Sequence, residues 1–171
     1  MENNLPKNWV ETELGEILKL KNGYAFKTKD YREEGIPLIR IGNIQQGNVS
    51  TEKSIYVDKN EAAEGFVVEK GDVLVAMSGA TTGKYGVFNE DIKAYQNQRV
   101  GNLKPLAPSL TSRQFIYYLL GGLQKEIEDK AYGGAQPNIS AKLIETIKIG
   151  FPPLKEQQRI VAKLDGLFEH L

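Results

Sequence analysis

The chain has 171 residues, with 22 Lys plus Arg balanced by 22 Asp plus Glu, one His and no Cys. Such a length supports one domain with a workable core and at most a small appendage. Lack of cysteine excludes a disulfide framework, a thiolate zinc site and a thiol nucleophile, and zero net charge argues against a protein that coats nucleic acid regardless of sequence.

The opening residues 1–7 include Glu2 and Pro6 and hold no apolar signal-peptide core. Nowhere do the roughly 18 apolar residues of a membrane helix follow one another. A soluble, cytoplasmic chain with no membrane partner is the expectation.

Trp9, Val10, Leu14, Ile17, Leu18 and Leu20 form an apolar run that ends at the turn signal Asn22-Gly23. Short strands or a turn of helix are expected there. Residues 36–41 are β-rich and lie between Gly35 and Gly42, and Pro37 restricts them to a strand start or a sheet edge. Further short strands are expected at 55–57, 66–68, 73–77, 85–88 and 100–103, punctuated by Gly65, Gly71, Gly79, Gly83, Gly86 and Gly101.

Thr111-Ser-Arg-Gln114 has the form of a capping box, and Phe115, Leu119, Leu123 and Ile127 follow at helical spacing, which predicts a helix over 111–130. A loop at 132–138, a short helix capped by Ser140 and a strand at 146–151 come next. After Pro152-Pro153 a last helix, 154–171, places Leu154, Val161 and Phe168 at heptad position a and Leu164 and Leu171 at d, with Gln157 departing from the pattern. A helix packed on its own domain and the beginning of a coiled coil both fit this stripe, and the Pro-Pro hinge favours the second by detaching the helix from the sheet. The expected fold class is therefore α+β: a glycine-turned, mostly antiparallel or mixed β-sheet domain with packed helices and a projecting C-terminal helix.

Several chemistries fail on spacing. Ser78-Gly-Ala-Thr-Thr-Gly-Lys84 has three residues between its glycines where a Walker A loop needs four, and Tyr85 stands where Ser or Thr should follow the lysine. His170, next to the last residue, is too near a helix end to serve as a catalytic imidazole, and no metal-ligating cluster is visible. Phe151-Pro-Pro-Leu154 lacks the polar and aromatic ends of an adenine methyltransferase loop. No catalytic centre, metal site or cofactor is expected.

Residues suited to reading bases and gripping phosphates are abundant instead. Residues 19–40 carry six bases against three acids, including Lys27 and Arg40, and residues 73–115 carry five against two. Those two stretches would form a positive face if the fold brings them together; a solvated mixed-charge surface is the plainer alternative. Arg40-Ile-Gly-Asn43, with Gln45 and Gln46 behind it, offers a cation and amides that can pair with guanine and adenine edges.

The Ser78–Tyr85 segment combines Ser78, Thr81 and Thr82 hydroxyls, glycine-exposed backbone N–H groups and Lys84, although a tight hairpin would use the same glycines for geometry alone. In Tyr95-Gln-Asn-Gln-Arg99, strand alternation would send Tyr95, Asn97 and Arg99 to one face and Gln96 and Gln98 to the other. Gln136 and Asn138 end a glycine loop that could approach a groove, with helix capping as the alternative for Asn138. The expected DNA contacts are thus Lys27, Arg40, Asn43, Ser78, Thr81, Thr82, Lys84, Tyr85, Asn97, Arg99, Gln136 and Asn138.

Leu5-Pro-Lys-Asn-Trp-Val10, Gly23-Tyr-Ala-Phe26, Ile36-Pro-Leu-Ile-Arg-Ile-Gly-Asn43, Gly71-Asp-Val-Leu-Val75, Ser78-Gly-Ala-Thr-Thr-Gly83, Asn97-Gln-Arg99 and Pro152-Pro-Leu-Lys-Glu-Gln-Gln-Arg-Ile-Val161 succeed one another in order. In this succession the chain resembles one target recognition domain of the specificity subunit of type I restriction-modification systems. The resemblance implies a non-catalytic reader of one half of a split double-stranded DNA target. Modification subunits would bring S-adenosylmethionine and methylate adenine, and a restriction motor subunit would act through them.

It also implies a recognition domain at 1–151 and, at 152–171, the start of a coiled-coil spacer helix that meets a second recognition domain or half-subunit through Leu154, Val161, Leu164, Phe168 and Leu171. A protein-binding or assembly module without DNA reading is the alternative function.

Overall fold

The computed structural model describes residues 5–45, 47–132 and 137–169. Short apolar runs build strands β1 (Val10–Glu13), β2 (Leu18–Asn22), β3 (Tyr31–Arg32), β4 (Ile36–Ile39), β5 (Ile44–Gln45), β6 (Gly47–Val49), β7 (Ile55–Val57) and β8 (Val67–Val68). Strands β9 (Asp72–Ala76), β10 (Tyr85–Phe88), β11 (Ala94–Gln96), β12 (Val100–Pro105) and β13 (Lys148–Phe151) follow, with helices α1 (Arg113–Ala131), α2 (Ala141–Glu145) and α3 (Leu154–Phe168) towards the C-terminus.

A six-stranded sheet has the order β2-β12-β9-β10-β6-β5, a five-stranded sheet the order β3-β7-β4-β11-β8, and β1 pairs with β13. Pairing is antiparallel except between β10 and β6 and between β11 and β4. The fold is α+β, as the sequence pattern implies.

Side-chain alternation explains the layers. Along β9, Val73 and Val75 join Leu18, Leu20 and Leu103 against α1 residues Ile116, Leu120 and Ile127, while Leu74 and Ala76 pack on Ile39, Ile44, Phe88 and Ala94 between the two sheets. With both faces covered, β9 needs a continuous apolar run rather than an alternating one. The same alternation turns Leu38 and Tyr95 to the outer face of the second sheet, where Phe26, Val57 and Ala63 cover them. Pro37 is tolerated because only β7 flanks it; β4 begins to pair with β11 at Leu38.

Asp72, at the start of β9, is 1% exposed. Its carboxylate accepts from Lys104 at 2.7 Å, Asn102 at 2.8 Å and the Glu69 amide at 2.9 Å, with the Arg113 guanidinium 3.3 Å away. Replacing Lys104 by Met leaves that buried charge with weaker compensation, and the expected loss is about 2 kcal/mol because Arg113 remains. Urea denaturation checks it.

Helix α1 starts one residue later than the capping-box reading suggests. Ser112, not Thr111, is its N-cap, and the Ser112 hydroxyl accepts from the Phe115 amide at 3.1 Å. Ser140 caps α2 in the same way, accepting from the Leu143 amide at 3.2 Å. The apolar face of α1 is broader than the expected stripe: Ile116 and Leu120 meet the sheet core, while Phe115, Leu119 and Leu123 line a groove shared with Ile160 and Leu164 of α3.

Helix α3 is anchored along α1 rather than detached at the prolines. Val161 is buried, Asp165 accepts a hydrogen bond from Tyr118, and the Tyr118 and Phe168 rings stack with centroids 6.1 Å apart. The bond to Asp165 holds the Tyr118 proton and pushes the phenol pKa up to about 12. At the last turn Leu167 and Phe168 are each 57% exposed. Leu171 lies outside the described residues, as do Gln46, Gln136 and His170. No helix among the described residues is long and apolar enough to cross a membrane.

Candidate nucleic-acid interface

Four loops from distant parts of the chain meet at one end of the two sheets. The first leaves β4 at Arg40, the second leaves β9 at Ser78, the third joins β11 to β12 through Asn97, Gln98 and Arg99, and the fourth enters α2 at Asn138. Main-chain bonds fasten them together. The Asn97 amide donates to Ile39 (3.0 Å), the Met77 amide to Arg99 (3.0 Å), the Gly79 amide to Pro137 (2.9 Å) and the Ile139 amide to Met77 (3.0 Å), and Ser78 and Asn138 form an antiparallel bridge. The Arg99 guanidinium reaches the Ser78 hydroxyl at 3.5 Å.

Between the first and third loops lies a groove of about 400 Å³ lined by Phe26, Tyr31, Arg40, Ile41, Gly42, Asn97, Gln98 and Arg99. The Arg40 guanidinium sits 5.8 Å from the Tyr31 ring centroid, a cation–π contact that limits its freedom, and its buried Nε finds no hydrogen-bond partner among the described residues. Arg99 on the opposite wall is exposed. Lys27 follows the groove residue Phe26 and is exposed, as are Lys84 and Asn138.

Other expected contacts are spent inside the protein. Asn43 is 6% exposed: its Oδ1 accepts from the Arg40 amide at 3.0 Å, and its Nδ2 donates to the Ser50 carbonyl at 3.0 Å and the Ser54 hydroxyl at 2.9 Å. With those bonds made it has no edge left for a base, and its task is to shape the loop that carries Arg40.

Tyr85 is a core residue, 7% exposed, packed on Tyr117 at 5.3 Å and so close to α1 that a side chain at Gly121 would meet its hydroxyl. Burial raises its pKa. Thr82 is buried, and its hydroxyl donates to the Gly79 carbonyl at 2.7 Å.

The phosphate-cradle expectation for the Ser78 loop is corrected by the same bonds. The amides of Gly79, Thr82, Gly83 and Lys84 donate to Pro137, Gly79, Ala76 and Thr81, so they close the loop on itself. Gly79, at φ +75, supplies a backbone conformation that L side chains rarely adopt. Ser78 is buried beside Arg99, while the buried Thr81 hydroxyl has no partner among the described residues. What the loop offers outward is the Lys84 side chain.

At residues 95–99 strand alternation fails after Gln96. Tyr95 is fully buried, its hydroxyl donating to Glu64 at 2.6 Å, and Gln96 is 1% exposed, its Nε2 donating to the Lys21 and Val100 carbonyls at 2.7 Å each. The chain then turns, with the Val100 amide donating to Asn97 at 3.0 Å, so Asn97, Gln98 and Arg99 all line the groove. Gln98 is thereby added to the candidate surface. Strand alternation places Gln98 away from Asn97 and Arg99, and it is the hydrogen-bonded turn that brings the three together.

Over residues 6–171 the sequence matches the family described as Type I restriction modification DNA specificity domain. The chain belongs to that family. Among the relatives of this specificity domain, the EcoBI specificity subunit of Escherichia coli is 30% identical over 166 residues, covering 94% of this chain and 32% of that protein. The MjaVIII specificity subunit of Methanocaldococcus jannaschii is 26% identical over 171 residues, covering 95% and 40% respectively.

The HsdS subunit of Thermoanaerobacter tengcongensis superposes on the specificity domain with a TM-score of 0.77 at 25% identity, covering 99% of this chain and 39% of that one. A chain from a structure addressing complex assembly and conformational transition of the type I R-M system gives a TM-score of 0.79 at 25% identity, with 99% and 40% covered. The specificity domain thus spans about a third of the length of the curated relatives it matches.

Proposed function

We propose that this chain reads one half-site of a bipartite double-stranded DNA target for a type I restriction-modification complex, with no catalytic residue or cofactor of its own. In this reading residues 1–151 are the recognition domain and residues 152–171 begin the spacer helix. Modification subunits, and the motor subunit through them, act on the DNA that the domain selects, in the cytoplasm.

The convergence of separate loops on a groove that holds both arginines and amides carries the reading. Arg32, Lys93, Lys104 and Arg113 are paired with Asp58, Glu64, Asp72 and Glu69. Lys27, Arg40, Lys84 and Arg99, at or beside the loop cluster, have no acidic partner within 4.0 Å among the described residues. Lys29, Lys53, Lys59, Lys142 and Lys163 lack one too; what sets the cluster apart is that Arg40 and Arg99 share one groove with Asn97 and Gln98, a mix of cations and amides that suits a polyanion whose bases must also be read.

Electrophoretic titration with modification subunits present is the test. The log–log salt dependence should have a slope of several units, about 0.9 per neutralised phosphate. Arg99→Ala and Lys84→Ala should each weaken all duplexes alike and lower the slope by about 1. No binding at low salt would overturn the function, and unchanged slopes would overturn the residue assignment.

Exposed Leu167 and Phe168 favour an assembly role for α3 as well, through a second recognition domain or half-subunit. Sedimentation separates the readings, since an assembly module alone would dimerise yet ignore DNA.

A further inference from the structure

We propose that Gln98 is the specificity-determining amide of the groove and that it reads the major-groove edge of an adenine; this rests on the DNA-reading function proposed above. The amides near the groove sort by what their side chains already do. Asn43 and Gln96 are buried and engaged in hydrogen bonds inside the protein. Asn97, although it lines the groove, is 9% exposed. Gln98 is exposed on the groove wall, and its side chain makes no hydrogen bond among the described residues.

Its backbone, by contrast, is fixed. The Gln98 carbonyl accepts from Asn22 Nδ2 at 3.0 Å, the Asn97 amide and carbonyl bond to Ile39 and Val100, and the Arg99 carbonyl accepts from Met77. A side chain with unused donor and acceptor on an immobilised turn is preorganised for recognition, because little backbone entropy is lost when it binds. A primary amide matches the donor and acceptor that adenine presents at N6 and N7. Arg40 and Arg99, which flank it in the groove, supply attraction to the backbone and orient the duplex edge.

The proposal distinguishes Gln98 from its neighbours by how binding fails. Loss of Arg99 weakens every sequence, whereas loss of Gln98 removes preference at one base pair and leaves the others. Since the Gln98 side chain supports nothing within the fold, its replacement leaves thermal stability unchanged, and a melting curve establishes that control.

The experiment selects bound duplexes from a random pool with the full chain in complex with modification subunits, for the unaltered protein, Gln98→Ala and Gln98→Glu. The expected result is a preferred A·T pair at one position that Gln98→Ala relaxes by about tenfold, the discrimination of one bidentate contact, with every other position retained. Gln98→Glu should move the preference at that position towards cytosine, whose N4 amino group donates to a carboxylate. Identical preferences in all three proteins, or a uniform loss across sequences in Gln98→Ala, would overturn the role of Gln98 while leaving DNA reading intact. An unaltered protein that selects no sequence would overturn both.

Discussion

Alanine at Gly23 is expected to unseat the turn that carries Gln98 and Arg99 and to weaken DNA binding by more than tenfold while costing about 3 kcal/mol of stability. A Cβ placed there would lie 2.2 Å from the Gln96 carbonyl oxygen and 2.4 Å from the Asn97 carbonyl oxygen. These are main-chain atoms, so no rotamer change relieves the overlap.

The two segments cannot simply separate either. The Tyr24 amide donates to the Gln96 carbonyl at 2.8 Å, Tyr24 bridges Asn97, and Gln96 Nε2 clasps the Lys21 carbonyl. Relief requires breaking those bonds, which moves the groove wall. Urea denaturation and electrophoretic titration of Gly23→Ala check the two effects. Wild-type values in both would show that the close approach is unimportant.

Gly23 also illustrates what was legible in the sequence. Asn22-Gly23 reads as a turn signal, yet Asn22 ends β2 and the glycine is needed for contact with a strand more than 70 positions away. Local pattern announced an interruption but not the partner that makes it necessary. The same holds for Gly121: helix propensity counts it as a cost, whereas in the fold it admits the Tyr85 hydroxyl against α1.

Strands bounded by glycines, the Ser140 cap and the last helix were all readable because their causes are local. Two-residue strands such as β3 and β5 were not, since pairing rather than composition creates them. The structure brings the loops nominated from the sequence together, but several of the nominated side chains are spent inside the fold. Residue type says that Asn43 or Tyr85 can hydrogen-bond; only the fold says that Asn43 is already bonded to Arg40, Ser50 and Ser54 and that Tyr85 belongs to the core. Alternation failed at Asn97 because it presumes an extended chain, and the chain there is bent by an Asn97–Val100 hydrogen bond.

Gln157→Leu is expected to cost about 3 kcal/mol and to free the first turns of α3, because it leaves one buried and two partly buried main-chain groups without their partner, the buried one alone at about 1–3 kcal/mol. Gln157 is the misfit in the heptad stripe, and its side chain is fully buried. Its Nε2 donates to the Leu110 carbonyl at 2.8 Å and the Pro152 carbonyl at 3.0 Å, and its Oε1 accepts from the Ser112 amide at 3.3 Å. One amide therefore joins α3 to the cap of α1 and to the chain ahead of Pro153.

Leucine fills a similar volume, so the loss isolates hydrogen bonding from packing. Hydrogen exchange should rise over residues 154–161, while the turn holding Asp165 stays protected by Tyr118. Adding Tyr118→Phe should release that turn too, and the two costs should add, since Gln157 and Asp165 are about 12 Å apart along the helix. Unchanged exchange in Gln157→Leu would mean that apolar contacts with α1 alone set the direction of α3. A rise confined to the first turns would mean that the helix leaves the domain at an angle set by a polar latch, which fixes where any partner on its exposed end sits relative to the groove.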